Sequence, residues 1–198
     1  MKLEIIYATT SGNAEMIAKK LLKMSQDQGF EAKMGEMNNY SIKKFSELEN
    51  VAIITSTYGN GDVPEMGIEF WEDLEKTKIK LNGQKYGMIA LGDRSHEIFC
   101  GGGKKISSKL DELGSKKIVE KLECDGDTEG SYEWSLNFLK VLKKQGSNEL
   151  KMSSKKTCIT CNNDTKVIAN KLGDRDPRDI EFKEAKEIFT PLADKIKN

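Results

Sequence analysis

Two uninterrupted apolar runs limit this chain more than any other feature: "VAIITS" at residues 51–56 and "YGMIAL" at residues 86–91. Each has the length of a strand and lacks the alternation of a sheet with one wet face, so each reads as a parallel strand covered on both sides. Parallel strands need crossover connections, usually helices. The segments between the runs supply them. Residues 3–7 form another short apolar run, and residues 14–24 place Met16, Ile17, Leu21, Leu22 and Met24 at helical spacing. Residues 31–37 alternate weakly, as an edge strand does, and residues 68–75 read as a helix. Residues 104–113 put Ile106, Leu110 and Leu113 on one helical face, with Gly114 where a helix stop belongs. Residues 117–123 read as a fifth strand. Residues 132–142 read as a last helix carrying Trp134, Leu136, Phe138, Leu139 and Leu142. Strand and helix alternating about five times predict an α/β sandwich on a five-stranded parallel sheet. At 198 residues the chain has room for one such domain and an appendage.

Open α/β sheets bind ligands beyond the carboxyl ends of their strands, near the point where strand order reverses. Three loops there depart from ordinary connections. The first, "TTSGNA" (Thr9, Thr10, Ser11, Gly12, Asn13, Ala14), offers hydroxyls and a glycine at a helix N-terminus, the ingredients of a phosphate cradle. An ordinary N-cap would use the same residue types. The second, residues 56–67, begins with Ser56, Thr57, Tyr58, Gly59, Asn60 and Gly61 and holds an exposed-looking aromatic ring. The third, residues 91–104, contains Leu91, Gly92, Asp93, Phe99, Cys100, Gly101 and the only histidine, His96. A cradle followed by two loops that each offer one ring suits a mononucleotide with a flat ring held between Tyr58 and His96.

At these residues the chain resembles the flavodoxin-like FMN-binding family, and within it the MioC-type flavodoxins and the FMN domains of sulfite reductase and other diflavin reductases. The resemblance covers residues 2–142. It implies that residues 9–14 wrap the FMN phosphate, that Tyr58 packs on one flavin face, and that the aromatic of the third loop packs on the other. The later "CDGD", with Asp125, and Trp134 in the last helix match the same branch. One position departs: the family usually has tyrosine where this chain has His96. Imidazole covers less of the ring and titrates near pH 6.5, so the resemblance implies altered stacking and redox tuning here. The implied fold is a three-layer flavodoxin-like sandwich with a five-stranded parallel sheet and a C-terminal extension. Acid–base catalytic residues are not expected. The implied role is an FMN-dependent electron carrier that takes electrons from a separate NAD(P)H-dependent flavoprotein reductase and passes them to an acceptor enzyme. The alternative is a flavin-dependent quinone or small-molecule reductase.

Composition narrows the partners. With 32 basic and 32 acidic residues the formal charge is zero, and no basic patch predicts nucleic-acid binding. Local acidity is hidden in that balance: Asp62, Glu65, Glu69, Glu72, Asp73, Asp93, Glu97, Asp125, Asp127 and Glu129 all fall near the expected site, where they would steer a basic partner. No run is long enough to span a bilayer and no leader pattern opens the chain, so a cytoplasmic location without membrane attachment is expected. The four cysteines are too scattered for a disulfide framework. The reading places an FMN-binding domain at residues 1–145. A linker and extension of unknown role, with Cys158, Cys161 and an amphipathic segment near residues 179–196, fill residues 146–198. Two cysteines alone do not make a zinc site.

Overall fold

The computed structural model describes residues 1–156, with side chains described as far as residue 146. The elements run β1 (Lys2–Ala8), α1 (Asn13–Asp27), β2 (Glu31–Glu36), a 3-10 turn (Met37–Asn39), α2 (Ile42–Ser46), β3 (Asn50–Thr55), α3 (Glu65–Lys76), β4 (Lys85–Gly92), α4 (Gly101–Glu112), β5 (Lys116–Lys117), β6 (Leu122–Asp125) and α5 (Ser131–Lys156). All strand pairings are parallel, in the order β2-β1-β3-β4-β5, with β6 also paired to β4. The weakly alternating β2 takes the edge, as its sequence predicts. The order reverses between β1 and β3, so the loop from β1 into α1 opens at the switch point.

Why the central runs never alternate is clear from the two cores. Every residue of β3 is buried. Ala52 and Ile54 join Ile5, Ile17, Leu21 and Phe138 on the face covered by α1 and α5. Val51 and Ile53 join Ile6, Phe70, Leu74 and Ile106 on the face covered by α3 and α4. The pleat still sends successive side chains to opposite sides, but both sides are dry. Ring contacts close each core: Phe45 meets Phe70 edge-on and Trp134 stacks on Phe138, both at 5.1 Å. Gly87 lies under that stack, where an added Cβ would fall 2.6 Å from the Phe138 ring. Truncating a core phenylalanine such as Phe138 costs about 3–5 kcal/mol in comparable proteins.

Three differences from the sequence reading have physical causes. The fifth strand is divided. Between the pairs Tyr86↔Lys117 and Ile89↔Leu122, three steps along β4 face five along the edge, so two extra residues bulge out. Val119 is buried there, and the Trp134 indole N–H donates to the Glu120 carbonyl at 2.8 Å, which fixes the bulge. The short α2, capped by Ser41, was not expected because five residues are too few to show a period. Finally, α5 continues to Lys156 through a segment whose polar, Ser-containing composition suggests a linker; its Glu, Leu, Lys and Met residues are good helix formers. Residues 1–146 form one compact unit. Cys158, Cys161 and the amphipathic segment of the extension lie outside the described residues. Among the described residues no helix is long and apolar enough to cross a membrane, and no His/Cys/Asp/Glu group could hold a metal ion.

Candidate cofactor site

The first loop leaves a helix end open. Gly12 enters α1 at φ 88°, a left-handed conformation that only glycine adopts freely. The Thr9 hydroxyl accepts from the Gly12 N–H at 2.9 Å and closes the loop on itself. No side chain caps α1, although Thr10, Ser11 and Asn13 are all within reach of its end in sequence. The first N–H groups and the positive end of the helix therefore face the space that Thr10, Ser11 and Asn13 line. A stretch rich in capping residues that does not cap its helix is better suited to an anion than to a turn.

The second loop is a tight hairpin. Tyr58 and Asp62 exchange backbone hydrogen bonds at 2.9 and 2.8 Å, with Gly59 and Gly61 at positive φ between them. Ser56, Thr57 and Gly59 face the cleft, while Tyr58 is 61% exposed. The Thr57 hydroxyl oxygen is buried and has no hydrogen-bond partner among the described residues. An orphaned buried hydroxyl costs about 1–3 kcal/mol, so a ligand that meets it gains by that amount.

The third loop is held by its own polar groups. Asp125 accepts from the Arg94 backbone N–H at 2.9 Å and lies 3.4 Å from the Arg94 Nε. The Arg94 guanidinium sits over the Phe99 ring at 4.7 Å, and the Lys104 ammonium donates to the Phe99 carbonyl at 2.8 Å. Hydrogen bonds from Ser95 hold the Asp93 carboxyl below the usual carboxylate range. Cys100 caps this loop at φ 55°, with its thiol donating to the Ala90 carbonyl at 3.3 Å; burial pushes that thiol up to about 11. It is a structural thiol and not a nucleophile. A fourth segment completes the wall: the Gly126 N–H, at φ 70°, donates to the Gly92 carbonyl at 2.7 Å.

These segments enclose a cleft of about 240 Å³. Of the expected residues, Thr10, Ser11, Asn13, Ser56, Thr57, Gly59, Leu91, Gly92, Asp93 and His96 line it together. Thr9 and Tyr58 line a neighbouring groove. Gly12, Ala14, Asn60, Gly61, Phe99, Cys100, Gly101 and Asp125 do not line the cleft. They shape its walls: Gly61 packs on Ile98, Gly101 packs on Gly61, and Asp125 tethers Arg94. Three lining residues were missed in the sequence: Ile98, Gly126 and Asp127. The "CDGD" turn already marked the last two, since Asp-Gly favours positive φ. An apolar Ile98 in a loop gave no such mark.

Among the described residues the lining carries no lysine or arginine. An anionic phosphate here would be met by backbone N–H groups, hydroxyls and a helix dipole. FMN, which carries a phosphate and a polar hydroxyl chain, fits that donor set. The cleft is also shallower than the ~300–1,000 Å³ sites that engulf a small molecule, so part of such a ligand stays at the surface.

A family model described as Flavodoxin matches residues 5–137. The chain belongs to the flavodoxin family. Its cofactor is FMN and its class of activity is electron transfer. Among curated relatives, it is 36% identical over 146 residues to the sulfite reductase [NADPH] flavoprotein alpha-component of Vibrio cholerae, covering 73% of this chain and 24% of the relative. The protein of the same name from Bacillus subtilis is 32% identical over 147 residues, with the same coverage of 73% and 24%. The chain thus spans about a quarter of the length of these relatives. Solved structures agree on the fold. The flavodoxin of Streptococcus pneumoniae matches with a TM-score of 0.66 at 27% identity, over 73% of this chain and 99% of that one. Oxidised flavodoxin 2 of Bacillus cereus matches with a TM-score of 0.63 at 29% identity, over 73% and 99%.

Proposed function

We propose that this protein is a cytoplasmic electron carrier whose FMN, held at the carboxyl edge of the sheet, is reduced by a separate NAD(P)H-dependent flavoprotein reductase and oxidised by an acceptor enzyme. In this reading residues 1–145 are the FMN-binding domain and residues 146–198 an extension to it. The observation that carries the reading is the uncapped end of α1 at a cleft whose lining, among the described residues, has no lysine or arginine and includes Thr57, whose buried hydroxyl has no partner there. FMN supplies one- and two-electron chemistry when bound, and the protein supplies binding, orientation and electrostatics. Residues 9–14 hold the phosphate without a counter-cation. Thr57 and the backbone of residues 56–61 position the ring, with Tyr58 against one face and His96 toward the other. Arg94, Asp125 and Phe99 keep the third loop in place. Asp93, Glu97 and Asp127 give the rim a negative potential that favours a basic partner face. The relatives' name joins a flavoprotein to NADPH, which supports a reductase of that type as donor.

The test is a visible spectrum of the protein after FMN loading, followed by reduction assays. The expected result is the two-band spectrum of bound oxidised flavin, no NADPH oxidation by the chain alone, and rapid reduction once a flavoprotein reductase is added. Steady turnover of NADPH with a quinone by the chain alone would replace the carrier with a reductase.

A further inference from the structure

The third loop ends in a fastening that lies outside the cofactor cleft. Lys104, at the start of α4, binds both carbonyls at the end of the loop: its backbone N–H donates to Cys100 at 3.0 Å and its ammonium to Phe99 at 2.8 Å. The same ammonium lies 5.3 Å from the centre of the Phe99 ring, which the Arg94 guanidinium also approaches, and 3.3 Å from the Glu123 carboxylate. Glu123 belongs to β6, where it pairs with Ala90 of β4. One side chain thus joins helix, sheet and loop. Phe99, Lys104 and Glu123 do not line the cleft, but the residue before Phe99 does: Ile98 lines it with His96 and packs on Gly61 of the second loop.

An isolated, exposed ion pair would contribute little. Here the carboxylate is partly buried. Burial alone would raise the Glu123 carboxyl, yet bonds from Lys121, at 2.9 Å, and from Lys104 hold it below the usual carboxylate range. Its charge is therefore kept, and the Lys104 ammonium has both a fixed anion and the Phe99 carbonyl to hold it. The contacts of that ammonium share one geometry, so loss of the anchor releases them together.

We propose that Lys104, anchored by Glu123, is a positioning residue for the flavin, a role that rests on the FMN reading above. It holds the Phe99 corner and thereby sets where Ile98 and His96 stand against the ring, which tunes the reduction potential. Positioning differs from a direct charge effect in sign. If Lys104 and Glu123 acted on the flavin as bare charges, removing the cation and removing the anion would move the potential in opposite directions. Because they act by holding the loop, either loss frees the same corner, and the two shifts have the same sign.

The test is the reduction potential of the FMN-loaded full chain, titrated at one pH and ionic strength. Lys104→Gln and Glu123→Gln should shift it in the same direction, each by the equivalent of about a three- to fivefold change in the affinity ratio of the two redox states. The double variant should go no further than either single one, and Lys104→Arg should recover most of the parent's value. Lys121→Gln takes a cation from the same carboxylate but, among the described residues, from no group of the third loop, and should leave the potential where it is. Affinity for oxidised FMN should stay within about threefold of the parent throughout. If Lys104→Gln does not load, the amide spectrum of the labelled, FMN-loaded Glu123→Gln protein decides: moved resonances at residues 96–99 support the clamp, and unmoved ones overturn it. Potential shifts of opposite sign, an additive double variant, or an equal effect of Lys121→Gln would also overturn it while leaving FMN binding intact. A parent chain that takes up no FMN would overturn the FMN reading and the clamp with it.

Discussion

The first and third loops sit across one cleft and are built in opposite ways. In the first, polar groups are left open: Gly12 turns into α1, no side chain caps the helix, and Thr10 and Ser11 face the cleft. In the third, polar groups are engaged with one another: Asp125 holds Arg94, Arg94 covers Phe99, Lys104 holds the Phe99 carbonyl, and Ser95 holds Asp93. The difference separates two tasks. An open loop gains free energy when a ligand arrives, so it should carry affinity. A loop satisfied in advance gains little from the ligand, but it fixes the position of whatever lies against it. Affinity should therefore depend on the first loop, and ring position and potential on the third.

The most severe way to break that contrast is Gly12→Val. A Cβ added at Gly12 meets nothing within 4 Å, so the fold has room for the side chain. The left-handed backbone does not suit a β-branched residue and costs about 1–2 kcal/mol, and the loop relaxes away from its anion-binding shape. FMN affinity measured by fluorescence quenching should fall about 100-fold or more, the equivalent of two lost charge-assisted hydrogen bonds, while circular dichroism stays that of the parent. Thr57→Val is next. Losing one hydroxyl contact should weaken FMN about tenfold, with Thr57→Ser close to the parent. Because the hydroxyl has no protein partner, the apoprotein should be as stable as the parent or slightly more so. A third-loop change should do less to affinity: Arg94→Gln removes the Asp125 ion pair and the cation over Phe99, both largely exposed, and should weaken FMN only about threefold. Thermal melting should barely move. If Arg94→Gln costs as much affinity as Gly12→Val, the division of tasks is wrong.

The smallest effect sharpens the contrast at His96, which lines the cleft. A tyrosine ring covers more of a flat ligand than imidazole does, so His96→Tyr should shift the reduction potential and tighten FMN only about twofold. Potentiometric and fluorescence titrations of both proteins at one pH check it. Equal potentials with equal affinities would place His96 in solvent.

The layers were legible because β3 and β4 are dry on both faces and show it as unbroken apolar runs. The divided fifth strand was not, because Val119 and the residues around it keep strand-like composition while leaving the ladder; the bulge is set by Trp134, which is distant in sequence. At the site, the lining residues stood out wherever function demands unusual composition, as in "TTSGNA". Whether that loop caps its own helix or leaves it open depends on backbone geometry, and the sequence left both possible. The third loop's tether joins Arg94 to Asp125 across 31 positions, which no local pattern reveals. Asp125 was therefore noticed as a cleft residue when its contacts are with the loop.

The contrast between the loops reduces to one claim: the first loop reads a phosphate. Riboflavin has the ring and the hydroxyl chain of FMN but no phosphate. Titrating the apoprotein with each, under identical salt and pH and by quenching of flavin fluorescence, measures the loop's contribution without altering a residue. The account predicts FMN binding at least about 100-fold tighter than riboflavin, as two or more charge-assisted hydrogen bonds at about 1.5–3 kcal/mol each require. Equal affinities for the two would contradict it.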